Sequence, residues 1–337
     1  MTTSPDGPRD PDPTPSARLS LATDELMRRH PPRWENANKR VVFGISTPAG
    51  AVHRGTVQVT RWGAMPLPPE VDAGRAAALL EVAPGFFDYA PSVPPLVPWY
   101  VNFADPHVFA FYGGSLFAQD EMQCAEHPVL GAVRHALEAE RIPPLTVERG
   151  KATPVLVMGA ERRCVVATNP DAGAGRPHGL YGNAFSRASV EAIRKATRAL
   201  DPPTVSNILA IAALGGGLGP YSRVQIGHTL VTAFSGFRAA VLESRRLDLA
   251  AEVAIHTGWW GCGAFGGNRP LMVVLQLLAA QMAGVKALVF HTGSPGPQHT
   301  LDEARAELGR LEAETSVGRV IDVLVARGFE WGESDGN

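Results

Sequence analysis

The sequence contains little cysteine and offers no pair of cysteines at a spacing typical of a functional site. Its three cysteines, Cys124, Cys164 and Cys262, are an odd number, lie far apart and form no C-x-x-C pair. This pattern excludes a disulfide framework and argues against both a zinc site and a redox dithiol. The cysteine content therefore favours a reducing compartment.

The chain also lacks a charge excess and a long apolar run. Its formal net charge is -2, which supplies no broad positive field for phosphate neutralisation, so direct nucleic-acid binding is not expected. No stretch reaches the roughly 18 to 20 apolar residues of a membrane span. The first residues are rich in Pro and Asp and have no apolar signal region. We therefore expect a cytoplasmic protein without a membrane partner.

With 337 residues and 45% hydrophobic content, the chain is long enough to bury a large core. Its composition divides it into three parts. Residues 1–19 read as a disordered tail, since they contain little that could be buried. Residues 20–95 read as an N-terminal accessory region that ends in a proline-rich stretch. Residues 96–330 read as the core domain.

Within the core, short apolar runs alternate with amphipathic helices, which predicts an α/β fold with a layered sheet. The expected buried strands are Tyr100–Ala104, Val155–Met158, Val165–Thr168, Ile208–Leu214, Val253–His256 and Ala287–His291. The clearest expected helices are Arg187–Leu200, Val224–Leu242, Leu271–Ala283 and Asp302–Ala313, the last with Thr300 and Glu303 as a capping box. In the accessory region we expect a helix over Ala22–Arg29 and strands over Val41–Ser46 and Thr56–Trp62.

The most unusual segment is HTGWWGCGAFGGN, residues 256–268, which places five glycines between an apolar strand and a helix. A glycine-rich loop that leads into a helix presents bare N–H groups, and these suit a diphosphate. The segment follows neither the Walker A nor the Rossmann pattern. The competing interpretation is a tight turn packed under aromatic side chains.

A second segment, Trp99–Glu126, places Gln119, Asp120 and Glu121 at the expected start of a helix, after a turn at Gly113 and Gly114. Acidic side chains in a first turn complement the helix dipole, so these residues alone could be no more than a helix cap. The two segments together favour a functional interpretation.

Both segments resemble the poly(ADP-ribose) glycohydrolase family, whose signature has three glycines followed by Gln-Glu-Glu and whose later loop reads close to TGNWGCGAFGGD. Ten of those twelve letters occur here between Thr257 and Gly267. The stretch Val101-Asn102-Phe103-Ala104-Asp105 follows the family's V-D-F-A-N strand. The segments ILAIAAL (208–214) and AFSGF (233–237) are similar to I-V-A-I-D-A-L and A-Y-C-G-F. This resemblance, over about residues 95–295, implies a macrodomain-like mixed sheet flanked by helices.

The resemblance also implies a function, a set of site residues and a class of ligand. Glu121 matches the family's catalytic glutamate, a general acid and base, and Asp120 stands where a second glutamate assists. The ligand would be an ADP-ribose unit of a polymer or of a modified protein, and no cofactor or metal is implied. The substrate-binding residues would be Asp105, Gln119, Gly113, Gly114, Tyr181 (on adenine), Trp259, Gly261, Cys262, Gly263, Ala264 and Phe265.

Three departures from the family pattern leave the substrate open. The triple glycine is replaced by Phe109-Ala110-Phe111 in an ungapped alignment, or by Gly113-Gly114-Ser115 in a gapped one, and side chains there would obstruct a backbone cradle. Asp105 and Trp259 replace two asparagines. The main hypothesis is a ribosyl glycohydrolase. Its alternatives are a non-catalytic ADP-ribose-binding macrodomain and a hydrolase or transferase for another nucleotide or nucleoside.

Overall fold

The computed structural model describes residues 12–293 and 298–336. Residues 1–11 of the expected disordered tail lie outside the described residues. The strands are β1 Ala17–Ala22, β2 Thr56–Arg61, β3 Leu80–Ala83, β4 Leu96–Phe103, β5 Val147–Glu148, β6 Lys151–Ala152, β7 Val155–Val166, β8 Thr197–Ile211, β9 Glu252–Thr257 and β10 Ala287–His291. The helices are α1 Thr23–Arg29, α2 Ala37–Ser46, α3 Ala73–Ala78, α4 Gln119–Glu126, α5 Val129–Ala139, α6 Ala184–Arg187, α7 Val190–Ala196, α8 Arg223–Leu247, α9 Arg269–Ala283, α10 Gln298–Leu311 and α11 Val317–Ala326.

Eight strands form one mixed sheet in the order β1-β2-β7-β8-β4-β9-β10-β3. The pairs from β1 to β8 are antiparallel, and the pairs from β8 through β4, β9 and β10 to β3 are parallel. Strand β4 therefore lies in the middle of the sheet with a parallel neighbour on each side. The expected mixed sheet flanked by helices is confirmed.

Helices cover both faces of this sheet. On one face α8 and α9 pack with α3, α10 and α11 around buried side chains such as Trp99, Leu209 and Phe237. On the other face α1 and α5 pack against β2, β4 and β7 around Tyr100 and Leu130. A smaller cluster around Phe117 and Phe185 joins α2, α4, α6 and α7. Successive side chains of β4 point to opposite faces of the sheet: Trp99 and Val101 lie in the first cluster and Tyr100 in the second. Both faces of this strand are therefore buried.

Residues 20–95, expected as an accessory region, contribute to the same sheet as the core. Strands β2 and β3 lie wholly within this range, and β1 begins at Ala17. Strand β3 forms the edge beside β10, whereas β1 and β2 extend the opposite side of the sheet. The division of the chain at residue 96 remains a prediction.

Three local expectations were wrong. Val41–Ser46 is not a strand, because it lies in α2, whose N-cap Asn36 accepts hydrogen bonds from the backbone N–H groups of Asn38 and Lys39. The helix expected over Arg187–Leu200 ends at Ala196, and β8 begins at the next residue. Thr300 lies inside α10, which begins at Gln298, so it does not cap that helix. None of the helices in the described parts of the chain combines the length and apolarity needed to cross a bilayer.

The packing of α8 on β8 requires a glycine in the middle of the helix. A Cβ at Gly236 would lie 2.8 Å from Ile211 Cγ2, whereas nothing lies within 4 Å of the corresponding position at Gly227 on the same helix. We expect Gly236→Ala to lower the free energy of unfolding by about 1–3 kcal/mol through overpacking. Gly227→Ala should instead raise it by about 0.5–1 kcal/mol, the helix-propensity gain. Urea titrations of both variants test this, and equal effects would contradict the close packing.

Candidate active site

The candidate site lies at the carboxyl edge of the three parallel strands β8, β4 and β9. Three connecting segments leave the sheet there: residues 104–118 after β4, residues 212–222 after β8, and the glycine loop, residues 258–268, after β9. In open α/β sheets, ligands bind in the crevice outside the carboxyl ends of such strands. The topology therefore brings together the two segments that the sequence singled out.

Asp120 and Glu121 lie in the first turn of α4, where the helix dipole favours acidic groups. Both side chains are buried, with exposed fractions of 6% and 3%. Asn102 Nδ2, on β4, donates a hydrogen bond of 2.9 Å to Asp120 Oδ1, and Cys124 Sγ lies 3.6 Å from the same oxygen. Glu121 Oε2 accepts a 3.0 Å hydrogen bond from the Ala118 backbone N–H. The expected pair is thus brought to the end of the central strand.

Burial raises the pKa values of both carboxyl groups. For Asp120 the charge of Glu121 adds to the effect of burial, and the hydrogen bonds from Asn102 and Cys124 oppose it. For Glu121 burial is again the main cause, opposed by the charge of Lys39 and by backbone N–H groups. Two adjacent carboxyl groups in a desolvated site favour a state that holds one proton between them. The pair can therefore act as an acid near neutral pH.

Gln119 joins α4 to β4. Its Oε1 accepts a 2.7 Å hydrogen bond from the Phe103 backbone N–H, and its Nε2 donates to the Val101 carbonyl at 3.0 Å. Both ends of the amide thus contact the backbone of the central strand, and this contact fixes the helix that carries the acid pair. A contact between Gln119 and a substrate remains a prediction.

The glycine loop closes on itself. The Gly267 N–H donates to the Gly261 carbonyl at 2.8 Å, and a Cβ at Gly267 would lie 2.6 Å from that oxygen. Gly261 adopts φ +75°, and a side chain there would lie 2.6 Å from Ala213 Cβ, in the segment after β8. The Trp260 indole N–H donates to the Ile211 carbonyl at the end of β8. Glycine is thus required at 261 by both conformation and packing.

Aromatic side chains fix the loop rather than leave it open. Trp259, half-buried, donates its indole N–H to the Thr292 carbonyl at 3.0 Å and packs edge-on against Phe290. The Arg269 guanidinium lies 5.2 Å from the centre of the Trp259 ring. Phe265 is half-buried over Gly215, Cys262 is buried and Ala264 is exposed. Both interpretations of the loop, a cradle and a tight aromatic-packed turn, describe part of this geometry.

The segment that stands in for the triple glycine has two distinct parts. Phe109 adopts φ 52°, the left-handed conformation that favours glycine, and its ring is buried in the cluster beneath α5. The Phe109 ring therefore lies in the core, and obstruction of a backbone cradle by the side chains of this stretch remains a prediction. Gly113 packs against the chain before α2: its carbonyl accepts from the Glu35 and Asn36 N–H groups, and a Cβ would lie 2.5 Å from the Arg33 carbonyl. Gly114 N–H donates to the Phe111 carbonyl within the same turn.

Asp105 and Tyr181 lie near the acid pair. Asp105 accepts a hydrogen bond from the His107 backbone N–H, and its charge contributes to the raised pKa of Glu121. The Tyr181 ring is 37% exposed and stacks on Phe86. The pKa of its hydroxyl is raised, first by burial and then by the charges of Asp335 and Glu121.

Sequence reasoning missed two features, Lys39 and the segment 329–335. Lys39 is buried completely and acts on the acid pair from α2; the mistaken strand over the neighbouring residues concealed it. Residues 329–335 cross the glycine loop and the glycines at 217 and 219 in the segment after β8. The two aromatic residues Phe329 and Trp331, in an otherwise polar stretch, were the available signal. In the described parts of the chain, no group of three or more His, Cys, Asp or Glu side chains could hold a metal ion.

Segment 329–335 is fixed by backbone contacts. The Gly332 N–H donates to the Gly266 carbonyl at 2.8 Å, and the Trp331 N–H donates to the Gly219 carbonyl at 3.0 Å. The Trp331 ring stacks on Tyr221, with centroids 4.1 Å apart. Asp335 Oδ2 lies 3.0 Å from the position that a Cβ at Gly263 would occupy. A carboxylate therefore lies directly against the glycine loop.

Residues 179–296, which include the glycine loop, match the family model described as poly(ADP-ribose) glycohydrolase (PARG), macro domain fold. Over these residues the chain is similar to the poly(ADP-ribose) glycohydrolase family. The resemblance expected from the two segments is thus confirmed, and so is the macrodomain-like fold class. The family model begins after the acid pair, so the assignment of Asp120 and Glu121 rests on the motif and the geometry.

Short matches to two curated relatives agree with the family. The chain is 55% identical over 32 residues to poly(ADP-ribose) glycohydrolase 1 of Caenorhabditis elegans and 47% identical over 32 residues to poly(ADP-ribose) glycohydrolase 2 of the same organism. Each match covers 10% of this chain. The matched stretches span only 4% and 7% of the relatives' lengths.

Two solved structures are also similar. Poly(ADP-ribose) glycohydrolase from Thermomonospora curvata, bound to the inhibitor ADP-HPD, is 15% identical, with 84% of this chain and 95% of that chain covered and a TM-score of 0.41. The enzyme from Deinococcus radiodurans in complex with ADP-ribose is also 15% identical, with 71% and 92% covered and a TM-score of 0.39.

The raised pKa of Asp120 predicts a pH-dependent stability. Because the folded protein holds a proton that the unfolded chain releases near pH 4, this group's stabilisation is complete below that pH and is lost as pH rises toward neutral. Each unit by which the pKa is raised corresponds to about 1.4 kcal/mol. Asp120→Asn should therefore lose less free energy of unfolding than wild type between pH 4.5 and pH 8 in urea titrations. Glu303→Gln, on the exposed face of α10, is the control and should follow wild type; parallel curves for Asp120→Asn and wild type would contradict the assignment.

Proposed function

We propose that this protein hydrolyses a ribosyl glycosidic bond of poly(ADP-ribose) or of another ADP-ribosylated substrate. The observation that carries the proposal is the buried Asp120–Glu121 pair at the end of β4, beside the glycine loop. A carboxyl group that keeps its proton near neutral pH can protonate a leaving oxygen. The match of residues 179–296 to the poly(ADP-ribose) glycohydrolase family model supports the substrate class.

In this mechanism Glu121 is the acid and then the base. The Glu121 carboxyl group donates its proton to the leaving oxygen as the bond between that oxygen and the anomeric carbon breaks, through an oxocarbenium-like state. The resulting carboxylate takes a proton from a water molecule whose oxygen attacks the anomeric carbon. The products are a ribose with a free anomeric hydroxyl and the released alcohol. Asp120 assists because the two carboxyl groups share one proton: in the state that reacts, Asp120 carries the negative charge and Glu121 carries the proton.

The remaining site residues would bind the rest of the ligand. The N–H groups of the glycine loop, Gly261 to Phe265, and the start of α9 suit a diphosphate. Tyr181 presents an exposed ring that suits adenine. Asp105, beside Glu121, would contact the ribose. We place this activity in the cytoplasm, because all three cysteines are free and buried.

The test is release of ADP-ribose from poly(ADP-ribose) and from a mono-ADP-ribosylated protein. We expect Glu121→Gln to lower the rate at least about 100-fold, since it removes the transferable proton and nearly preserves the shape. Glu140→Gln, at the exposed end of α5, should release ADP-ribose at the wild-type rate. Chromatographic quantification of the product measures all three proteins, and release by Glu121→Gln at the wild-type rate would refute the assignment.

One observation favours a different ligand. The Asp335 carboxylate lies against Gly263, where a diphosphate would lie, and Asp105 adds a second acidic group near the cleft. Like charges at close range lower the affinity for an anion. A nucleoside without phosphates would meet no such repulsion. A hydrolase for a nucleoside or an altered nucleotide is therefore the second candidate, and ADP-ribose binding without turnover is the third.

Asp335→Asn separates these ligands. If the diphosphate lies at the glycine loop, removal of this charge should strengthen ADP-ribose binding about fivefold at low ionic strength, and less at 0.5 M salt. Adenosine binding should not change. Isothermal titration calorimetry with both ligands measures the effect, with Glu333→Gln in the same segment as the control. An equal gain for adenosine would mean that the segment acts by shape and not by charge.

A further inference from the structure

Lys39 is a buried lysine beside the acid pair. Its side chain extends from the first turn of α2 and has no exposed surface. The ammonium donates a 2.7 Å hydrogen bond to the Tyr112 carbonyl and lies 6.0 Å from the centre of the Phe117 ring. Among the described residues, this is the one hydrogen bond of its three N–H donors. A lysine in this state is uncommon unless counter-charges lie close by.

The counter-charges come from α4. The groups that act on Lys39 are Glu121, Cys124 and Asp120, together with Glu35, which precedes α2. Cys124 remains a neutral thiol, because burial raises its pKa well above the ordinary value. Glu35 is exposed to solvent, which screens its charge. The acid pair therefore supplies the buried negative charge that faces the ammonium.

Charge balance in this buried cluster limits the protonation states. One ammonium with two carboxylates would carry a net negative charge, and one ammonium with two neutral carboxyl groups would carry an uncompensated positive charge. Both states are costly in a desolvated site. One ammonium, one carboxylate and one carboxyl group give a neutral cluster, and this is also the state that general acid catalysis requires.

Lys39 also links α2 to the segment before α4. Lys39 donates to the Tyr112 carbonyl. The carbonyl of the next residue, Gly113, accepts from the Glu35 and Asn36 N–H groups, which lie just before α2. The Tyr112 hydroxyl in turn accepts a hydrogen bond from the Arg33 N–H. The chain that leads from β4 to the acid pair is thus fixed on α2 over consecutive residues.

We propose that Lys39 is a positioning residue for the acid pair, whose buried ammonium maintains one carboxylate charge on Asp120 and Glu121 and holds the loop that leads into α4. This inference rests on the proposed glycosidase function. The direction of each interaction agrees with it, since the charge of Lys39 lowers the pKa values of both carboxyl groups and theirs raise the pKa of Lys39. Burial of the ammonium outweighs the effect of these negative charges and lowers the pKa of Lys39 to about 8.

The first experiment is the pH profile of ADP-ribose release by wild type, Lys39→Met and Lys39→Arg. Loss of the charge should raise both carboxyl pKa values, so the acidic limb of the Lys39→Met profile should move about one pH unit higher, with at least about a tenfold lower rate at pH 7. Lys39→Arg keeps the charge and should restore the position of the limb. Lys195→Met, on the surface of α7, should match wild type. A lower rate with an unmoved limb in Lys39→Met would show a purely structural role and overturn the proposal.

The second experiment needs no activity. Carbon-13 NMR titration of the Asp120 and Glu121 carboxyl groups, without substrate, should show higher apparent pKa values in Lys39→Met than in wild type; unchanged values would refute the proposal. Because this measurement is independent of turnover, it decides the role of Lys39 even if wild type releases no ADP-ribose, a result that would reject the glycosidase function alone.

A third measurement applies if Lys39→Met does not fold. In the double variant Asp120→Asn/Glu121→Gln the ammonium loses the carboxylate charge of the pair, so the pKa of Lys39, followed by NMR of its Nζ, should fall below about 8. The same titration in Lys195→Met should leave Lys39 unchanged. A Lys39 pKa that does not fall in the double variant would show that the ammonium and the acid pair are not coupled.

Discussion

The parallel pairing of β4 with β8 on one side and β9 on the other is the constraint that shapes this molecule. It directs three connecting segments to one edge of the sheet, although they are spread between residues 104 and 268 of the sequence. Side-chain contacts then lock each segment to a strand end: Gln119 to the backbone of β4, and Trp260 to the last carbonyl of β8. The position of the acid pair relative to the glycine loop follows from the sheet and not from either segment alone.

Electrostatics adds a second constraint, because two carboxyl groups are buried side by side and burial raises the pKa values of both. Asp120 and Glu121 are adjacent in sequence, and Asn102 replaces the family's aspartate at the neighbouring strand position. A third carboxylate at that position would increase the repulsion, whereas the amide donates a hydrogen bond to Asp120. The substitution and the ammonium of α2 act in the same direction, since both favour retention of a negative charge in a desolvated pocket.

Parts of this arrangement were predictable from the sequence, and the reasons are local. The apolar runs of β4, β9 and β10 and the start of α4 at Gln119 follow from periodicity and helix-terminus signals. The helix α2 was mistaken for a strand, because Val41, Val42 and Phe43 have strong strand propensity; the N-cap Asn36 and the face formed by Asn38, Lys39, Val42 and Ser46 decided otherwise. The contacts of Gly113 and Phe109 could not be foreseen, since each depends on a distant segment, the chain near Arg33 and the cluster beneath α5.

The positions of the tryptophans make the site observable by intrinsic fluorescence. Of the six tryptophans in the chain, Trp259 and Trp260 lie within the glycine loop, and Trp331 stacks on Tyr221 in the segment that crosses it. Half of the tryptophans of the protein therefore lie within one loop and the segment that crosses it. A molecule that enters the loop must alter the surroundings of these rings, so intrinsic fluorescence reports occupancy of the site without a label.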